Sequence, residues 1–110
     1  MTTNEFRRMA LSFPEATEAS HMDHPDFRVS GKIFATLGYP NKGWGMVKLT
    51  PDQQSRVVKG YPEAFAPVKG IWGLKGGTNV NLRSVTKETL NKALEMAWSN
   101  IALKQIMSPK

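Results

Sequence analysis

Residues 70 to 82 read GIWGLKGGTNVNL, and the way Gly76-Gly77 turns the chain decides the fold expected around it. Two adjacent glycines both adopt the positive φ of a type I′ turn at no steric cost, and short strand-like runs flank them. The stretch therefore reads as a β-hairpin. With a two-residue turn, Lys75 faces Thr78, Gly73 faces Val80 and Ile71 faces Leu82. Ile71, Val80 and Leu82 then share one side of the ribbon, and Trp72, Leu74, Asn79, Asn81 and Arg83 share the other. A large aromatic among polar and cationic neighbours fits a stacking platform for a ligand, and fits an ordinary sheet residue as well.

Directly after this hairpin comes the longest helical pattern. It starts at Thr86, with Val85 and Leu90 placed as a hydrophobic staple. Leu90, Ala93, Leu94, Ala97, Trp98 and Ile101 then recur at helical spacing, so one face is expected to pack on a sheet with Trp98 in the core. Upstream, Tyr61 to Val68 reads as an extended connection or a proline-bearing edge strand. Thr50-Pro51-Asp52-Gln53 is a helix start in which Thr caps, Pro takes the first position and Gln completes a capping box; Gly60 ends that helix. Trp44 to Leu49 is a strand, preceded by the glycine- and proline-rich loop Gly38 to Gly43. That loop, with Tyr39, Lys42 and Trp44, reads either as a wing touching a phosphate backbone or as an ordinary connection. Residues 27 to 38 form a second hairpin turning at Ser30-Gly31, with Phe27 opposite Phe34. The first helix covers residues 3 to 13, opened by a Thr2/Glu5 capping box and stopped by Pro14; Phe6, Met9, Ala10 and Phe13 form its apolar stripe.

Between that helix and the Ser30-Gly31 hairpin lies the acidic stretch 14 to 26, read as loop, with both histidines in the order His21-Met22-Asp23-His24. With Glu15, Glu18 and Asp26 nearby, these groups have the chemistry of a divalent-metal site. They lack the fixed helical offset of His-Glu-x-x-His, and a polar loop explains them as well. No metal and no cofactor is expected.

At 110 residues, 40% of them hydrophobic, the chain is expected to be one globular domain with a single two-layer core. No apolar run approaches the ~20 residues of a membrane span. The N-terminus lacks the pattern of an export signal, and the absence of cysteine excludes disulfides and thiolate chemistry, so a cytoplasmic location and no membrane partner are expected. The formal net charge of +6 is unevenly distributed. Residues 1 to 26 hold two arginines against five acids, whereas residues 27 to 110 hold thirteen Lys and Arg against four acids. A basic body concentrates polyanions, nucleic acid above all, although it also serves solubility alone.

The order of elements and several strings resemble the MmcQ/YjbR family. The matching strings are FPEATEASHMDHPDFRVSGKIFATL at 13 to 37, the Thr50-Pro51 helix start, GIWGLKGGTNVNL at 70 to 82, and the late helix with Ala97-Trp98. The resemblance implies a CyaY-like α+β two-layer sandwich: an antiparallel sheet with the N- and C-terminal helices on one face, plus a short middle helix. It also implies a DNA-binding role through a double-wing arrangement of hairpins, and it supplies no catalytic residues. On this basis Lys42 and Lys75 at the two glycine-rich tips, with Lys32, Lys48, Lys69 and Arg83, are expected to neutralise DNA phosphates, and Trp72 or Trp44 to contact sugar or base. Without a recognition helix the binding is expected to be salt-sensitive and of low sequence specificity. A different class of function, a protein- or ligand-interaction module without enzymatic activity, uses the same exposed sheet face. A frataxin-like metal-handling role is disfavoured by the basic body. An enzyme is not expected, since no nucleophile, base and orienting group occur in a recognisable context and no phosphate-binding loop precedes a helix.

Overall fold

A computed structural model of the chain describes residues 1–21, 23–38 and 41–107. Both predicted capping boxes form. In α1 (Thr3–Leu11) the Thr2 hydroxyl accepts from the Glu5 backbone N–H at 3.0 Å, and the Glu5 carboxylate accepts from the Thr2 N–H at 2.8 Å. The helix buries Phe6 and Ala10 and stops two residues short of the predicted end, where Ser12 caps it ahead of Pro14. Lys87 Nζ lies 2.9 Å from the other Glu5 oxygen, so one carboxylate ties the start of the first helix to the start of the last. These donors, the Thr2 backbone N–H first and Lys87 next, lower the Glu5 pKa from 4.5 to about 2. A carboxyl depressed in the folded state stabilises the fold above its unfolded pKa and loses that contribution as pH falls towards its folded one. Urea denaturation should accordingly show wild type more stable than Glu5→Gln at neutral pH, with the gap closing between about pH 4.5 and about pH 2. A gap that does not change with pH would mean that the Glu5 charge contributes nothing.

The stretch read as an acidic loop contains a strand. β1 (Thr17–His21) pairs antiparallel with β2 (His24–Val29), from Thr17 opposite Arg28 to His21 opposite His24. Its sequence, TEASH, hides the strand because an edge position with Thr17, Glu18 and Ser20 exposed needs no apolar alternation. Met22 and the His21 side chain lie outside the described residues, as do Tyr39 and Pro40 of the Gly38 to Gly43 loop. The next hairpin turns as predicted, with Ser30 and Gly31 both at positive φ, into β3 (Lys32–Leu37). Its register differs from the prediction: Phe27 pairs with Ala35 and Arg28 with Ile33, leaving Phe34 as the extra residue of a bulge. The bulge lets the consecutive residues Phe34 and Ala35 both enter the core, which strict alternation forbids.

β4 (Trp44–Lys48) leads into the Thr50-capped α2 (Pro51–Gly60), and β5 (Phe65–Pro67) is the proline-bearing edge strand anticipated at 61 to 68. The hairpin read at Gly76-Gly77 does not form. Ile71–Leu74 is instead one helical turn, α3, in which Leu74 N–H donates to Gly70 O at 3.2 Å and Lys75 N–H to Ile71 O at 3.0 Å. β6 (Gly77–Asn81) runs between β4 and β5, with Val47 opposite Thr78 and Phe65 opposite Val80. Val80 and Leu82 are buried as expected, but Ile71, assigned to their side, is exposed. The glycines serve close backbone approach: a Cβ on Gly73 would fall 1.6 Å from the Val68 carbonyl oxygen, and one on Gly76 would fall 1.9 Å from that of Leu49.

All strand pairs are antiparallel, in the order β1-β2-β3-β4-β6-β5. α4 (Lys87–Met107) lies across β2, β3 and β4 and packs on α1, so the terminal helices cover one face of the sheet. The fold is the expected α+β sandwich, with two middle helices instead of one. Trp98 sits at the margin of the core, half-buried, stacked on Phe13 with ring centroids 5.8 Å apart, its indole N–H donating to Pro14 O at 3.0 Å. No helix among the described residues is long and apolar enough to cross a membrane.

Candidate nucleic-acid interface

The site is built on the face of the sheet that the terminal helices leave open. Along β4, Gly45 and Val47 are buried under the helices, whereas Trp44, Met46 and Lys48 are half-buried on the opposite side. Cross-strand pairs share a face, so Met46 stands beside Thr36 and Asn79, and Trp44 beside Asn81. At the far end of β4 the Lys48 ammonium lies over the Trp72 ring, 5.1 Å from its centroid, a cation–π contact joining the sheet to α3.

The candidate residues fall at the two ends of the sheet. Lys48 and Trp72 meet, Lys69 and Lys75 bracket α3, and Lys32 stands beside the Ser30-Gly31 turn at the same end. Lys75 is therefore the C-cap of a helical turn and not a hairpin tip. Lys42, Trp44 and Arg83 occupy the other end, about four strand residues or ~14 Å away. There the Leu82 N–H donates to Gly43 O at 3.0 Å, holding the loop before β4 against the turn after β6. Lys42 and Arg7 also line a shallow hollow of about 340 Å³ with Thr3, Pro25, Leu37, Gly38 and Gly43.

Charge is segregated more sharply than composition suggests. Residues 27–51 and 64–87, which supply β3 to β6 and α3, carry eight Lys and Arg and no Asp or Glu. Four of the nine acids are engaged in ion pairs: Glu5 with Lys87 at 2.9 Å, Glu18 with Arg7 at 3.0 Å, the buried Asp26 with Arg28 at 2.8 Å, and Asp52 with Arg56 at 3.2 Å. Asp26 accepts from two Arg28 nitrogens and raises the guanidinium pKa further above its ordinary value. Among the described residues, Lys32, Lys42, Lys48, Lys69, Lys75 and Arg83 have no carboxylate within ion-pair distance. Nor do three His, Asp or Glu side chains gather there as a metal ion would need.

Residues 11–100 match the YjbR family model, a span that contains every candidate residue. The chain belongs to the YjbR family. Its fold is similar to that of the Deinococcus radiodurans protein DR2400, a DUF419 domain, with a TM-score of 0.80 at 18% identity over 97% of this chain and 83% of that one. At that identity the likeness is one of fold. A search of curated proteins finds no match to the sequence. What the hairpin expectation missed in this YjbR chain is the presentation of Ile71, Trp72 and Leu74 together at the surface. The only sequence signal for it is glycine at 70, 73, 76 and 77, a spacing that suits close packing of a helical turn as well as a hairpin.

Proposed function

We propose that this YjbR-family chain binds DNA with low sequence specificity, its phosphates neutralised by Lys32, Lys48, Lys69 and Lys75 at one end of the sheet and by Lys42 and Arg83 at the other. The observation that carries this is that residues 27–51 and 64–87, which supply β3 to β6 and α3, hold eight cations and no carboxylate. Lysines at such positions release condensed counterions when they meet phosphate, so the affinity is electrostatic and steeply salt-dependent. Specificity is low because α1 and α4 are occupied covering the sheet and are not free to enter a major groove. Trp44 and Trp72 add sugar or base contact at the two ends.

Fluorescence anisotropy on labelled random-sequence DNA, single-stranded and duplex, tests this. Binding should weaken steeply with added salt, and Lys42→Glu/Lys75→Glu should lower the slope of log K against log salt by about 2, one for each lost phosphate contact. Absence of binding to either form at high-micromolar protein and low salt overturns the proposal. The exposed Ile71, Trp72 and Leu74 favour the second reading, a protein- or ligand-interaction module. That alternative predicts a partner whose affinity is indifferent to salt and to the lysine substitutions.

A further inference from the structure

We propose that the form of DNA this surface takes is single-stranded, with an unpaired base stacked on Trp72 and the backbone following Lys48, Lys69 and Lys75. The inference rests on the DNA-binding reading above and adds the substrate class. Ile71, Trp72 and Leu74 are 67%, 60% and 79% exposed on a helical turn of four residues, an unusual concentration of apolar surface facing water. Phosphate contacts do not use such a surface. A paired duplex keeps the faces of its bases hidden in the stack, so against a duplex the patch would stay idle while the lysines bound. An unpaired nucleotide offers an anionic backbone and a free aromatic face together, and the patch presents the complement: a Trp ring with one ammonium over it, on a helical turn bracketed by Lys69 and Lys75. Trp72 is 60% exposed with Lys48 over its ring, and the proposed seat of the base is the opposite face. The turn that carries the ring is seated by the close approach of Gly73 to Val68, so its backbone requires little new ordering on stacking.

The test compares three labelled strands of equal length by anisotropy in one low-salt buffer: oligo-dT, an abasic strand with the same backbone charge, and a duplex. The full chain should bind oligo-dT at least about fivefold tighter than the abasic strand, the effect of one stacked base. It should also prefer oligo-dT to the duplex. Trp72→Ala should remove the preference over the abasic strand, while Trp72→Phe should retain part of it. Because Trp72 is exposed, both variants should melt like wild type. Equal affinity for oligo-dT and abasic strands, or a Trp72→Ala variant that still prefers oligo-dT, overturns the stacking inference while leaving salt-dependent DNA binding intact. Loss of binding to every strand would remove both. Trp72-dependent binding to phosphatidylglycerol vesicles without binding to oligo-dT would reassign the patch to a lipid surface and overturn it too.

Discussion

Replacing Gly73 by alanine should destabilise the protein by about 3 kcal/mol, the upper end of the usual cost of overpacking, and should lift α3 from its seat. The added Cβ would lie 1.6 Å from the Val68 carbonyl oxygen and 2.7 Å from its carbon. Backbone atoms have no rotamer by which to move aside, and Val68 is fixed by its own N–H donating to Gly77 O at 2.9 Å. The far side of the turn is equally constrained, since the Gln54 amide nitrogen of α2 donates to both Gly73 O at 2.9 Å and Gly77 O at 2.8 Å. Relief must come from moving the turn as a unit, which breaks the Gln54 bonds and withdraws Trp72 from Lys48. Urea denaturation should register the loss of stability, and amide exchange at Leu74, Lys75 and Gly76 should accelerate far more than in β3 or β4. Gly60→Ala is the matched control: a Cβ there meets nothing within 4 Å, and the position ends α2, so its effect should stay within about 1 kcal/mol. A Gly73→Ala protein as stable as the control would show that the turn does not depend on backbone contact at residue 73.

The same contact explains why part of the fold was legible in the sequence and part was not. Thr2 with Glu5 and Thr50 with Gln53 announce helix starts because a capping box is a local arrangement of named donors and acceptors, complete within four residues. The Ser30-Gly31 turn and the apolar stripe from Leu90 to Ile101 are local in the same sense. Gly73 and Gly76 are not. Glycine serves equally where a hairpin needs positive φ and where two backbones touch, and the choice is made by Val68, Leu49 and Gln54, which reach the turn only after the sheet assembles. β1 escaped notice for a related reason, because a strand paired on one side and solvated on the other can be built from Thr, Glu, Ala and Ser. For the candidate site, the residue types were legible but the grouping was not. Lys48 and Trp72 are distant in sequence and meet only because β4 and α3 end at the same corner of the sheet, whereas Lys42 and Lys75, paired in sequence reasoning as two tips, stand at opposite ends.

On the covered face the largest expected effect is at Phe6. Its ring is fully buried and packs on Phe27 with centroids 5.9 Å apart, so Phe6→Ala removes a large aromatic that cannot be replaced by collapse of the rigid sheet beneath it. The expected cost is about 3–5 kcal/mol. Against a total of about 5–15 kcal/mol this is a large share of the protein's stability, and it should appear as a lower urea midpoint with an unchanged slope. The ring also explains the glycine at position 45, in the middle of β4, where a side chain would ordinarily favour a strand. A Cβ at 45 would lie 2.9 Å from Phe6 Cε2 and 3.0 Å from Thr36 O, so Gly45→Ala in the wild-type background should be destabilising by about 1–3 kcal/mol. With the ring removed the nearest of those contacts disappears, and the methyl group enters space that Phe6 vacated. The two substitutions should therefore be non-additive, with Gly45→Ala costing at least about 1 kcal/mol less in the Phe6→Ala background, well outside the additivity expected of independent sites. Additive effects would mean that Thr36 O alone dictates glycine there. Coupling would establish that the closeness of α1 to β4 sets the path of the strand, and with it the position from which Trp44 and Lys48 project onto the open face.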